Sequence, residues 1–568
     1  MTDPARTAAS AAAFDAWLDG FFADVFRRFP IDATWLGEHQ HDHALPDYSS
    51  SGDTAWTERI RALIASLDAI PAEGLSEAQT YDRILARGAL QLWLWETGSP
   101  FFQAGNPAFH TSEAIGAVAA LLLGADRPSS EALEASIARM EAIPAFLETS
   151  RMRLRSAPLS WTELAIRQAD AAVAYFRTGL PGWLAETGNE QPDVVAASQI
   201  AADAFEEHAT WLRNVLAERR TGIPEAGSDA LSRYLHQGHL LPATQDPAWW
   251  FDYAHAELIE ATQELRELAR AIDWRAGSRT LVQRLSDTHP DAERYDAAFP
   301  DAWEQGRAVA VQARLVDWPG EPVRFLSIAP MEADLWQAIR FPVYRGAPPL
   351  QPDGTARLFY PALDRSLPDA DQQRILRQTN DARILLDYAI RNAGLGRHVQ
   401  SVAARHTPTR IGRLAATVGT TRRLFFSGNA ISDGWACYAV ELMEEAGVLT
   451  PMLRLAEAQR RLQIAAQAVA DVGLHTGELT FVRVARMYRD EVGLPSSQAM
   501  EQTVWISMHP GAGMAELVGA AGIDELRRTI EDRDGPRFDL RAFHDTFLSY
   551  GAIPVTLTAA SMLNVSGS

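Results

Sequence analysis

In the C-terminal half of this 568-residue chain, titratable side chains stand at spacings that chemistry can use. Asp471 and His475 are four residues apart and share a face if the segment is helical. The pair reads either as a carboxylate orienting an imidazole general base or as a satisfied buried pair. His398, a residue type that titrates near neutral pH, is either a polar group of a cleft or a helix cap. Asp433 precedes Gly434 and the apolar run Trp435 to Met443, so it is either a reactive carboxylate or an N-cap. Glu516 follows the Pro510-Gly511 break in the apolar stretch Met514 to Val518, where it faces a cleft or simply gains from a helix N-terminus. Cys437, between Ala436 and Tyr438 with no imidazole close in sequence, occupies the slot of a core thiol rather than a nucleophile.

Other groupings carry less. His39, His41, Asp42 and His43 alternate in a short stretch without a closed ligand set. His236 with His239, and Asp252 with His255, are ordinary helix-surface spacings. There is no Gly-x-Ser-x-Gly elbow, no His-Glu-x-x-His and no phosphate-loop pattern, and Gly511-Ala512-Gly513 is too short for a nucleotide site. The chain has no lysine, so all 52 basic side chains are arginine, which excludes Schiff-base and phosphate-loop lysine chemistry. One cysteine excludes an intrachain disulfide and a thiolate-cluster zinc site. A formal charge of −21 with no basic stripe argues against a nucleic-acid partner. The first residues, Met1-Thr2-Asp3-Pro4, read as neither signal nor transit peptide, giving a cytoplasmic expectation. The longest apolar stretch, Ala114 to Ala125, is too short to span a bilayer, so no membrane partner is expected.

The elements that must position these residues are mostly helices. Phe14, Trp17, Leu18, Phe21, Phe22 and Val25 recur at three- and four-residue spacing, and similar stretches run from Ser76 to Glu96, Asp193 to Ala217, Trp249 to Ile272 and Ala370 to Asn392. Between Pro319 and Asp364 repeated prolines break any long helix, and Val323-Arg324-Phe325-Leu326 and Arg357-Leu358-Phe359-Tyr360 predict short strands. The fold class is therefore mainly α with a small β element near 319–364. The chain is read as one helical body over 1–560, comprising an N-terminal lobe of about 1–310, the β element, a C-terminal lobe of about 365–560 and a frayed tail at 561–568.

Five segments, in order, carry a family resemblance. They are Phe29 through Asp42; Pro348-Pro349 before Phe359-Tyr360; Asp433-Gly434-Trp435-Ala436-Cys437-Tyr438-Ala439; Asp471-Val472-Gly473-Leu474-His475; and Phe543-His544-Asp545 through Ser549-Tyr550-Gly551-Ala552-Ile553-Pro554. Together they resemble the bacterial family catalogued as domain of unknown function 885, over nearly the whole chain. That family is similar to helical metallocarboxypeptidases of the Taq carboxypeptidase type, which implies a two-lobed helical body around a deep groove with zinc ligands on neighbouring helices.

The family pattern His-Glu-x-x-Pro-Gly-His-His-x-Gln falls here on Arg391-Asn392-Ala393-Gly394-Leu395-Gly396-Arg397-His398-Val399-Gln400. Arginine offers donors only, and asparagine is no base, so the ordinary zinc mechanism is not expected and no metal or other cofactor is assigned. The family's Glu-Gly-Trp-Ala-x-Tyr becomes Asp433 onward, its Arg-Tyr becomes Trp505-Ile506, its Pro-Gly-Gln becomes Pro510-Gly511-Ala512, and a later Tyr becomes Glu516. The expectation is a metal-independent enzyme acting on a small amide-, peptide- or carboxylate-bearing substrate. His398, Asp433, His475 and Glu516 are its catalytic candidates, and Arg391, Asn392, Arg397, Tyr438 and Trp505 its substrate-binding ones. Two alternatives stay open: a pseudoenzyme that binds a peptide or small ligand, and a metallohydrolase rebuilt around His398, Asp433 and His475. The sequence leaves oligomeric state open.

Overall fold

Apolar stripes at helical spacing must be buried against one another, and this chain does so along most of its length. The computed structural model describes residues 4–123, 128–189, 191–222, 225–351 and 354–564, and the fold is mainly α-helical. Three of the expected stretches form the helices Glu77–Gly98, Pro192–Trp211 and Pro247–Ile272. The fourth is broken. Asp369–Gln378 ends at Thr379, the Asn380 side chain accepts from the backbone N–H of Arg383, and Ile384–Ala393 winds as a π-helix. Asparagine favours such a local bond over continued helix, which the apolar period alone does not reveal.

Within the proline-rich region Val323–Ile328 pairs in parallel with Ala356–Pro361, and Tyr344–Arg345 pairs antiparallel with the latter. Residues 561–564, expected to open a frayed tail, are helical. Val555–Asn564 is a helix, held by Ser561, whose hydroxyl meets Glu77 and Tyr81; residues 565–568 lie outside the described residues. The largest apolar core mixes Phe14, Phe21, Trp56 and Trp93 with Trp435, Ile523 and Phe547, so the two ends of the chain share one core. Fully burying each such side chain is worth about 1.5–3 kcal/mol.

Three local features build the site. Helix Pro451–Thr476 starts at the Thr450 cap, ends at Gly477 in the left-handed region, and packs against Pro247–Ile272 through residues such as Leu258, Leu265, Leu455 and Leu462. Helix Gly428–Glu445 crosses Ala515–Asp534 where Gly434 meets Gly519; a Cβ at either position would run into the opposing backbone. After the π-helix, Gly394 and Gly396 let the chain fold back on the carbonyls of Ala389 and Arg391, and Trp435 Nε1 donates to the Leu395 carbonyl at 2.8 Å. Arg397 is thereby brought beside Asn392.

Candidate functional site

The π-helix and helices Pro451–Thr476, Ser496–Met508 and Ala515–Asp534 enclose a cleft of about 760 Å³. Asp433, Trp505 and Glu516 line it, together with Glu457, Arg460 and Arg340, which the sequence reading did not single out. A π-helix at such a wall is a recurrent functional-site feature, because its wider turn re-aims side chains.

Asp433 does not cap a helix. Its helix already starts at Gly428, and Gly434 serves the helix crossing instead. Its Oδ1 accepts from Arg397 Nη2 at 2.9 Å and Arg423 Nη2 at 3.0 Å, and its Oδ2 accepts from Arg423 Nη1 at 3.1 Å. Burial works to raise this carboxyl, but Arg423 and Arg397 outweigh it and hold the group well below the usual carboxylate range. Arg397 Nη1 also donates to Asn392 Oδ1 at 2.9 Å, and Asn392 Nδ2 donates to the Asp387 carbonyl at 2.7 Å, so Asn392 orients Arg397.

Glu516, in the first turn of its helix, is held similarly. Its Oε1 accepts from Arg391 Nη2 and Arg460 Nη2, both at 3.0 Å. Burial raises its carboxyl, and Arg460 and Arg391 bring it below the ordinary value. Arg391 is fully buried; its Nη2 also lies 3.2 Å from Cys437 Sγ, and its Nη1 has no hydrogen-bond partner among the described residues. Burial pushes the Cys437 thiol up to about 12, which makes it a poor nucleophile. Four guanidiniums, from Arg391, Arg397, Arg423 and Arg460, outnumber the two carboxylates they clamp.

Glu457 is different. It lines the cleft at 3% exposure and makes no hydrogen bond or ion pair among the described residues. Burial lifts its carboxyl to about 7 against the pull of Arg391, Arg461 and Arg460. The one trace it leaves in sequence is a charge at a buried position of an amphipathic helix, beside Leu455 and Ala458.

The other candidates sit elsewhere. His398 is buried beside the small sheet: Nε2 faces the Glu321 carbonyl at 3.1 Å and so carries the proton, while Nδ1 accepts from the Tyr344 hydroxyl at 3.0 Å. Burial lowers it to about 4, leaving a neutral ring with both nitrogens engaged. His475 is fully buried, with Nε2 donating to the Ile506 carbonyl at 3.0 Å, and burial lowers it also to about 4. Its neighbour Asp471 lies 3.7 Å away and accepts from the backbone N–H groups of Gly511, Gly513 and Met514 at 3.0, 2.8 and 3.2 Å. Asp471 thus fastens the loop before Glu516, where Gly511 has φ +80°. Tyr438 donates to His544 Nε2 at 2.9 Å, and its oxygen accepts from Arg527 Nη1 at 3.2 Å, in the core rather than the cleft. Trp505 stacks on His509 and lies under Arg340, with centroid separations of 4.9 and 5.5 Å.

Zinc does not fit this arrangement. Both Asp433 oxygens are occupied by guanidiniums, both His398 nitrogens and His475 Nε2 are engaged by other groups, and among the described residues no three His, Cys, Asp or Glu groups converge as metal ligands.

Residues 30–562 match the profile of the family described as bacterial protein of unknown function, DUF885. A structure described as that of a "putative lipoprotein of unknown function" from Shewanella oneidensis superposes with a TM-score of 0.75 at 20% identity, covering 97% of this chain and 100% of the other. Another, described as a "putative lipoprotein" from Colwellia psychrerythraea, gives 0.76 at 15% identity and 99% of each chain. At these identities the likeness is one of fold. No curated protein matches the chain. Both of these structures are described as putative lipoproteins, which runs against the cytoplasmic expectation drawn from the first residues. Among the described residues no helix is long and apolar enough to cross a membrane.

Proposed function

The chain belongs to the bacterial family DUF885, and we propose that its cleft is the active site of a metal-independent enzyme that hydrolyses a small amide- or peptide-like molecule bearing a carboxylate. The observation that carries the reading is Glu457, a cleft-wall carboxyl with no hydrogen-bond or ion-pair partner among the described residues, raised to about 7 by burial near arginines. An acid–base group works best when its pKa lies near the working pH. As carboxylate, Glu457 takes a proton from water adding to the amide carbonyl carbon and returns it to the leaving nitrogen as the C–N bond breaks. Arg460, whose side chain is one-third exposed, supplies positive charge for a substrate anion or the developing oxyanion, and the fully buried Arg391 adds its field without reaching the substrate. Asp433 and Glu516 hold the arginines in place in this scheme and do not themselves exchange protons.

Screening N-acyl amino acids and short peptides for cleavage by mass spectrometry, with the protein pretreated with chelator, tests the proposal. Turnover should rise with pH through about 7, where burial places the Glu457 carboxyl, and Glu457→Gln should lower kcat by roughly 10²–10⁴-fold with little effect on KM. Saturable binding with no product would instead favour the pseudoenzyme, for which the closed clamps on Asp433 and Glu516 are the supporting observation. The lipoprotein descriptions of the structural neighbours support a location at the cell envelope, and fractionation of native cells checks it.

A further inference from the structure

A second cavity of about 450 Å³ adjoins the cleft, and its lining is more apolar: Leu164, Ala171, Ala174, Ala338, Val504 and Met508, with Arg167, Asp170, Asp334 and Gln337 also on its walls. The two spaces share Arg340, Glu501 and Trp505, so they meet along one ridge. Arg340 stands on that ridge in an unusual way. It terminates the helix Pro330–Ile339 in the left-handed region, with φ +52° and ψ +50°, where a non-glycine residue is uncommon and is found where surrounding structure enforces it. Its Nη2 donates to Gln502 Oε1 at 3.0 Å, and its guanidinium lies 5.5 Å from the Trp505 ring centroid. Among the described residues no carboxylate reaches it within ion-pair distance, unlike the arginines that clamp Asp433 and Glu516. From Arg340 the wall continues with Gln502, whose Nε2 donates to Gln467 Oε1 at 2.7 Å, and then with Gln463 and Arg460 toward Glu457.

We infer that the ligand of this cleft is an amphipathic carboxylate, its carboxylate held by Arg340 at the ridge, its apolar group in the cavity between Leu164 and Met508, and its amide portion directed along Gln467 and Gln463. The unpaired guanidinium presents the planar donor set that carboxylates select, with Trp505 at its face. An apolar chamber opening directly beside it requires the carboxylate and the apolar group to be near neighbours on the ligand. The glutamine side chains offer both donors and acceptors, as an amide needs. The inference deepens the proposed function and rests on that assignment of the cleft.

The test measures binding of N-acetylphenylalanine, N-acetylglycine and N-acetylphenylalaninamide by calorimetry to the whole protein and to two variants. N-acetylphenylalanine should bind at least about tenfold more tightly than N-acetylglycine, because it alone fills the apolar cavity. It should also bind about 10–100-fold more tightly than the amide, which lacks the charge. Ala174→Trp, at an exposed position of the cavity lining, should erase the first preference and keep the second; Arg340→Gln should do the reverse. Equal binding of all three probes, or preferences that survive both substitutions, would overturn the inference. If turnover dependent on Glu457 is then still found with other substrates, the proposed function stands without this ligand assignment. Failure of every probe together with the absence of any such turnover removes both.

Discussion

Asp433 and Asp471 are both carboxylates sunk into helices of the same half of the molecule, yet their surroundings treat them in opposite ways. Asp433 meets two guanidiniums, and full positive charges more than repay its desolvation, so its carboxyl falls well below the usual range. Asp471 meets only the N–H dipoles of Gly511, Gly513 and Met514, which do not repay it, so burial pushes it up to about 7. Charges bracket the cleft, whereas dipoles fasten a loop. The contrast separates an electrostatic site from a structural knot where sequence shows two aspartates of equal promise.

The pH dependence of two substitutions can break that contrast. Asp471→Ala carries the largest expected effect, because three buried N–H groups lose their acceptor; the cost is about 4 kcal/mol and a fall in Tm of several degrees. A group raised in the folded state contributes stability that is fully present below its unfolded value, near 4, and lost as pH rises through about 7. The penalty of Asp471→Ala should therefore be greatest at about pH 4 and shrink toward pH 8. Arg423→Gln comes next, at about 3 kcal/mol, since it leaves Asp433 only one arginine. Here the sign reverses: a depressed carboxyl contributes stability above its unfolded value and loses it as pH falls below about 4. Its penalty should be full at pH 7 and shrink below pH 4. Denaturant melts at several pH values read both; penalties that move in the same direction with pH would refute the distinction.

Much of the fold was legible because apolar spacing is a local signal. The helices Glu77–Gly98 and Pro247–Ile272 and the strands Val323–Ile328 and Ala356–Pro361 lie where the period and the prolines place them. The site was less legible because it is made by pairs distant in sequence. Gly434 suggested a helix start at Asp433, whereas its small size is used against Gly519. Arg391 and Arg397 read as anion binders, and the fold gives them Glu516 and Asp433 as partners. His398 and His475 carry no sequence mark of how deeply they are buried. Glu457 belongs to no motif, and its character comes from burial beside arginines contributed by the π-helix and its own helix.

Glu457 sharpens the comparison further, since it is buried like Asp471 but has neither clamp nor backbone donors. If it is kept for chemistry rather than for stability, removing its charge should stabilise the protein. Its raised carboxyl makes the native state hold a proton that the unfolded chain releases near pH 4, so ionisation costs stability as pH climbs toward and past 7. Glu457→Gln should therefore match the native protein in stability near pH 4 and exceed it by about 3 kcal/mol at pH 8, a difference readable as a higher Tm or denaturant midpoint. The pull of Arg391, Arg461 and Arg460 on the carboxylate limits this gain by holding the carboxyl at about 7 rather than higher. A loss of stability at pH 8 would mean that the Glu457 carboxylate supports the fold as Asp433 does, and the division between clamped and open carboxylates in the cleft would fall.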